Sequence, residues 1–254
     1  MTLNFNISDE YICGEKFRQA ANNIPNVIYA DQDDVNSVIR NIAKSDKKWV
    51  LVSHNGDFPS DYDLPDNVIR WYGQNMRRHG EKYVGIPIGI SNPCWGEIGR
   101  IDQLEDCRKN NYIDNYLYFS CKIYTNEEKR KKAFNYIQDK FLTHKQITTR
   151  MGNGYVPRQE YLNNIRRSIF TLSPPGNGAD CCRTWETLYL ERTPICEYSP
   201  EMEHFKDLPI LFYKNIEEID ESFFNVKKPI EMNLDKLKIS YWIDRIKKDA
   251  ESIL

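Results

Sequence analysis

The chain has 254 residues, 40% hydrophobic and 28% charged, with 35 Lys and Arg against 37 Asp and Glu for a formal net charge of −2. No Lys/Arg stripe stands out of that balance, so bulk electrostatics give no reason to expect nucleic acid as a partner, and the length suits one large or two small domains. Seven cysteines, at positions 13, 94, 107, 121, 181, 182 and 196, are odd in number and lack paired zinc-like spacing, which favours reduced thiols in a cytoplasmic setting.

Met1 to Asp9 carries no basic start followed by an apolar core, and no later run approaches the roughly 20 apolar residues of a membrane span, so neither signal peptide nor anchor is expected. Short β-branched and aromatic runs at 27–29, 49–53, 68–72 and 83–88 predict the strands of a first half. Between the first two lies a helix over 33–44, where Val35, Val38, Ile39 and Ile42 recur at helical spacing. The stretch 100–114, rich in Asp, Arg, Lys and Asn, reads as a hinge. Beyond it, strands are predicted at 116–120, 147–149, 169–172, 193–196 and 210–212, separated by helices over 127–141, 158–167 and 181–190. The chain closes on an amphipathic helix over 234–254, with Ile239, Ile243, Ile246, Ala250 and Ile253 alternately four and three apart. Strand and helix alternate in both halves, which defines an α/β class with domains at 1–110 and 111–233 and a terminal helix at 234–254.

The densest chemistry lies at 173–192, SPPGNGADCCRTWETLYLER. A strand ends in Pro174 and Pro175; Gly176, Asn177 and Gly178 permit positive φ and close backbone approach. Asp180 is placed to cap a helix whose positive end faces any anion in the turn. Arg183 and Glu186 follow Asp180 at successive intervals of three, so all three charges fall near one helix face, with Glu186 available to ribose hydroxyls. The spacing fits a nucleotide-diphosphate site and a salt-bridged surface helix behind a glycine turn equally well.

The run FTLSPPGNGADCCRTWETLYLERTPI resembles the signature of exostosin-type glycosyltransferases, glycosyltransferase family 47 and its relatives. VIRWYGQNMRRHGEKYVGIPIGISNPCWG, NYLYFSCKIYTNEEKRKKAF and VPRQEYLNNIRRS resemble further stretches of the same relatives, in the same order, so the likeness runs over about residues 49 to 196. Pro175 departs from the basic or small residue usual at its position, and Glu191-Arg192 stands where a glycine usually ends the helix. The resemblance implies a GT-B fold: two small Rossmann-like, doubly wound domains facing a cleft. The C-terminal helix then either crosses back to the first domain or docks as an ordinary surface helix. It further implies inverting, metal-independent transfer from a UDP-sugar, such as UDP-xylose, to a glycan or glycoprotein hydroxyl, with the UDP-sugar as co-substrate and no cofactor. Relatives in eukaryotes sit behind a Golgi anchor, whereas this chain reads as a soluble relative of bacterial or viral style.

In that frame Ser120, Arg130, Ser173, Gly176, Asn177, Gly178, Asp180, Arg183 and Glu186 are the expected donor-binding residues, with Arg183, Arg130 and the 176–178 turn on the departing diphosphate. The base belongs to the acceptor half, where Asp57 and then His54 follow an apolar strand; a simple Asn-Gly turn explains Asp57 as well. Asn75 and Arg77 are candidates for acceptor contact, against an exposed polar turn. Asp31, Asp33 and Asp34 come nearest to a metal-binding pair and read as a helix start, and His79, His144 and His204 as solvated or capping residues. Sixteen Tyr and five Trp suit carbohydrate contact, although core packing takes most of them. A catalytically inactive nucleotide- or sugar-binding module of the same fold is the alternative, and a purely structural α/β protein the third.

Overall fold

A computed structural model of the chain describes residues 1–141, 147–151, 156–225 and 232–253. Two short helices open it, α1 (Ile7–Glu10) and α2 (Gly14–Ala21), followed by β1 (Val27–Asp31), α3 (Val35–Ile42), β2 (Trp49–His54), β3 (Val68–Gln74) and β4 (Tyr83–Ile86). After α4 (Ile101–Lys109) come β5 (Asn115–Cys121), α5 (Glu127–Phe141), β6 (Ile147–Met151), α6 (Arg158–Arg167), β7 (Ser168–Ser173), α7 (Cys182–Tyr189), β8 (Thr193–Glu197), α8 (Pro200–Glu203), β9 (Leu211–Tyr213) and α9 (Ile239–Glu251). The strands form two sheets, β1-β2-β3-β4 and β6-β5-β7-β8-β9, and every adjacent pair is parallel. Strands such as β2 and β7 are buried almost throughout because a parallel sheet is covered on both faces.

The two sheets are wound differently. In the second, the chain leaves β5 for β6 on one side, then returns to place β7 on the other, so the carboxyl ends of β5 and β7 flank a crevice, the position where open α/β sheets take ligands. The first sheet runs in sequence order without reversal, and only β1 and β2 are joined by a helix. The connections 55–67 and 75–82 contain Pro59, Pro65 and a polar run with no helical apolar spacing, which is why no crossover helix forms there. The expectation of two doubly wound halves therefore holds for the second sheet only.

The stretch expected as a hinge is α4. Ile101, Leu104 and Cys107 fall three apart among charged residues and turn inward, Leu104 and Cys107 fully buried, and the helix packs on α6, α1 and α7. The terminal segment is also more divided than its periodicity suggests. Residues Leu234–Leu237 make a tight turn, Lys238 is extended (φ −103°, ψ 134°), and α9 starts afresh at Ile239.

Helix α9 packs on α2, β2 and β3, so the end of the chain crosses back to the first half. Tyr72 donates its hydroxyl to Asp249 at 2.6 Å, Arg70 pairs with Asp249 at 3.0 Å, and Glu10 accepts from both the backbone and the hydroxyl of Ser240. Each sheet has its own apolar cluster, around Leu51 and Trp71 in the first and Phe119 and Leu172 in the second. The largest cluster joins them, with Phe17, Val52 and Ile86 of the first half packed in one core with Leu162, Trp185, Tyr189, Phe205 and Trp242. Among the described residues no helix is long and apolar enough to cross a membrane.

Candidate functional site

A cavity of about 440 Å³ lies between the halves at the carboxyl ends of the strands. Its second-half wall is built on the crevice between β5 and β7: Ser120, Cys121 and Lys122 where β5 ends, Thr125 just before α5 and Arg130 in its first turn, Arg158 and Tyr161 on α6, and the 176–181 turn running into Arg183 and Glu186 on α7. The opposite wall is Asp57 after β2, with Ile88, Ser91, Glu97 and Ile98 after β4.

The glycine turn is tight for steric reasons, not because of positive φ. Neither Gly176 nor Gly178 adopts the left-handed region. A Cβ on Gly178 would stand 2.2 Å from the Asp57 carbonyl oxygen, so the two halves touch backbone to backbone there. Pro175, the departure noted in the sequence, presents its carbonyl to Arg130 Nε at 3.1 Å, and a second nitrogen of Arg130 holds the Lys122 carbonyl at 2.6 Å. Arg130 is thereby fixed across the crevice. Its guanidinium pKa is lowered, first by burial and then by the charge of Arg183.

Asp180 does not cap α7. Cys181 holds the N-cap position without a side-chain cap bond, and Asp180 is buried at 3% exposure with both carboxylate oxygens engaged. Trp185 Nε1 donates to one and the backbone N–H of Ile88 to the other, each at 2.7 Å. Asn75 Oδ1 accepts the Asp180 N–H at 3.0 Å while Asn75 Nδ2 donates to the Asp57 carbonyl at 3.1 Å. Asp180 and Asn75 thus stitch the halves together beside the cavity. Burial pushes the Asp180 carboxyl up to about 7, against the pull of these donors.

Glu186 is likewise buried, and its carboxylate accepts from Arg158 and from the Tyr161 hydroxyl, the latter at 2.8 Å. Arg158 and Tyr161 were not singled out in the sequence. The available signal was a cation at the first residue of a helix, where the dipole opposes it, with a tyrosine one turn later on the same face. Arg158 is 7% exposed, and among the described residues its Nε and Nη2 find no hydrogen-bond partner; Arg183 Nε and Nη1 and the Thr125 hydroxyl are in the same condition. Five buried donors thus lack acceptors on one wall. The backbone contributes less than the sequence suggested, because the N–H of Gly176 is spent on the Gly178 carbonyl and that of Asp180 on Asn75.

The structure sorts the remaining candidates. Ser120, Asn177 and Asp57 line the cavity, and Asn177 Nδ2 donates to Asp57 Oδ2 at 2.9 Å across the cleft. Ser173 lies beneath the turn, its hydroxyl shared with Thr184 at 3.0 Å. His54 is off the cavity and 2% exposed: Nδ1 accepts from the Asn55 N–H at 2.8 Å, so Nε2 carries the proton and donates to the Pro87 carbonyl at 3.0 Å. With both nitrogens committed and burial pushing its pKa down to about 4, His54 is a structural group rather than a base. Asn75 and Arg77 also lie off the cavity wall; Arg77 pairs with buried Glu201 at 3.0 Å.

Asp31 accepts two bonds from Arg18, at 2.5 and 2.7 Å. A second acidic pair, Asp61 and Asp63, not weighed in the sequence, is held by Arg78 at 2.7 and 2.6 Å. Among the described residues no three His, Cys, Asp or Glu converge to hold a metal ion. His79 and His204 stack at 4.4 Å, each on a backbone carbonyl, and His144 lies outside the described residues. No protein-family model matches the chain, and no curated protein matches it in sequence.

Proposed function

We propose that the chain is a glycosyltransferase of GT-B type that moves a sugar from a UDP-sugar, UDP-xylose or a similar donor, to a glycan hydroxyl with inversion and without a metal ion. The observation that carries this reading is the set of buried, unpartnered donors on Arg158, Arg183 and Thr125, gathered where the β5–β7 crevice receives ligands. Leaving guanidinium N–H groups buried without acceptors is costly, and an anion with many oxygens repays that cost. A diphosphate supplies such oxygens, and Arg130 beside the turn adds a further positive charge.

In this reading Arg183, Arg130 and Thr125 stabilise the charge that develops on the departing diphosphate. Arg158 and Tyr161 orient Glu186 toward the nucleoside. Asp57, on the opposite wall, takes the proton of the acceptor hydroxyl; the hydroxyl oxygen bonds to the anomeric carbon as the bond from that carbon to the diphosphate oxygen breaks, and its electron pair leaves with UDP. The test is transfer from a panel of UDP-sugars by the wild type and Asp57→Asn. The variant is expected to bind UDP as the wild type does and to lose transfer by roughly 10²–10⁴-fold. Near wild-type turnover in the variant overturns the base; UDP binding with neither transfer nor donor hydrolysis in the wild type identifies a catalytically silent binding module.

A further inference from the structure

The loop that carries Asp57 is gripped by three buried carboxamides. Gln74, the last residue of β3, donates through Nε2 to the Gly56 carbonyl; Asn75 Nδ2 donates to the Asp57 carbonyl at 3.1 Å; Gln32, just after β1, donates through Nε2 to the Phe58 carbonyl. Three successive carbonyls are thus held from the ends of the two strands that flank β2, and Gln32, Gln74 and Asn75 are all buried. Gly56 admits this arrangement, since a Cβ there would stand 2.3 Å from the Gln32 side chain. Asn55 enters the loop at φ 61° and Asn75 itself sits at φ 49°, conformations that are costly outside glycine and persist where their surroundings fix them. The Asn55 side chain is fixed in turn, donating to the Tyr29 hydroxyl at 3.0 Å and accepting from Asn92 Nδ2 at 3.0 Å. From across the cleft a further carboxamide reaches the acid itself: Asn177 Nδ2 donates to Asp57 Oδ2 at 2.9 Å.

We infer that Gln32, Gln74, Asn75 and Asn177 are positioning residues for the Asp57 carboxylate: the first three fix its loop, and Asn177 takes Oδ2 so that Oδ1 is the oxygen presented to the acceptor hydroxyl. This rests on the proposed transferase reading and adds the residues that aim its base. A carboxamide can hold a loop with no site beside it, as Asn67 does for the carbonyls of Ile42, Ser45 and Lys47 at 2.7, 2.8 and 3.1 Å, all off the cavity wall. The 55–58 loop differs in three respects. It bears a carboxylate on the cavity wall, it is entered through a residue of positive φ, and the opposite half spends a donor on that carboxylate. A reacting group displaced by about 1 Å costs on the order of 10²-fold in rate, so a base on a loop needs such bracing. Asn177 belongs to the glycine turn of the donor half, so the base is aimed from the half that holds the donor.

The experiment is a double-mutant cycle. Transfer from the UDP-sugar panel and UDP affinity are measured for Asn177→Ala and Gln74→Ala, each alone and in the Asp57→Asn background, with Asn67→Ala for comparison. Asn177 is exposed, so its variant tests the inference even where loss of the buried Gln74 side chain prevents folding. Each is expected to lower kcat by roughly 10- to 100-fold with UDP affinity unchanged. In the Asp57→Asn background neither is expected to lower kcat further, because a group that acts through the carboxylate has nothing left to act on. Asn67→Ala is expected to lower the melting temperature and keep the wild-type kcat. Wild-type kcat in Asn177→Ala beside a disabled Asp57→Asn overturns the inference and leaves the base standing. So does a full further loss in the Asp57→Asn background, or a fall of kcat in Asn67→Ala as large as that in Gln74→Ala, since either marks the carboxamides as structural. Wild-type turnover in Asp57→Asn, or no transfer by the wild type, overturns the base and the inference together.

Discussion

Two carboxylates beside the cavity are buried in opposite manners, and the difference separates a seam from a site. Glu186 shares its charge with Arg158 and Tyr161, whereas Asp180 faces only neutral N–H donors and its pKa rises to about 7 through burial. A carboxyl whose folded pKa lies above its unfolded value of 3.8 contributes stability that is full below about pH 4 and lost as pH rises through 7. Two histidines, buried His54 and half-buried His204, act in the other sense: with folded pKa values near 4, their contribution is lost as pH falls from about 6.5 toward 4. The Asp180 effect is therefore isolated by comparison with Asp180→Asn. The stability difference between the two proteins is expected to move in the variant's favour from pH 4 to pH 7, by at most about 1.4 kcal/mol per pH unit. Parallel denaturation profiles across that range would show that Asp180 is ionised throughout. The sequence marked Asp180, Arg183 and Glu186 by their spacing but not what they touch. Arg158 and Tyr161 belong to another helix, and Ile88 and Asn75 to the loops after β4 and β3 of the other half, so their meeting is tertiary and leaves only a weak local trace.

Among the elements, the turn between β7 and α7 is where chain and cleft are most tightly coupled. Gly178 lies against the Asp57 backbone and the Asn75 amide, so an added methyl must push one half from the other. Gly178→Ala is expected to destabilise the protein by about 1–3 kcal/mol, as overpacking does, and to weaken UDP binding in parallel; an unchanged melting temperature would show that the contact yields without cost. The strands were legible because buried parallel strands are short apolar runs whose pattern survives without knowledge of their partners. Helix α4 was not, since its apolar residues are few and its exposed face is dense in charge, so the stretch resembles a linker. The end of α7 shows a different limit. Glu191 takes the left-handed conformation (φ 59°) that usually falls to glycine, and its carboxylate accepts from the Leu3 N–H, Arg108 and Arg166. The departure at this position is a glutamate held in place by residues from the start and the middle of the chain, which no local pattern records.

For the whole molecule, the shared core decides how the halves behave. Trp185 and Tyr189 of α7, Phe17 of α2 and Trp242 of α9 belong to one cluster, and the Tyr189 hydroxyl both accepts the Ile12 N–H at 3.0 Å and donates to the Leu237 carbonyl at 2.9 Å. Halves joined in this way unfold together, so calorimetry is expected to show one cooperative transition with equal calorimetric and van't Hoff enthalpies; two resolved transitions would contradict the shared core. The alternation of strands and helices made the α/β class legible. The joining of the halves was not, because it depends on α1, α2 and α9 meeting from opposite ends of the chain.

The account turns on whether the unpartnered donors around the β5–β7 crevice receive a nucleotide diphosphate. Calorimetric titration of the purified protein with UDP, with and without EDTA, tests this most directly, with Arg183→Ala as the control. Saturable 1:1 binding that EDTA does not alter, weakened at least about tenfold in Arg183→Ala by loss of charge-assisted hydrogen bonds, is the expected result. Absence of UDP binding in the wild type, or equal affinity in the variant, would contradict the diphosphate site.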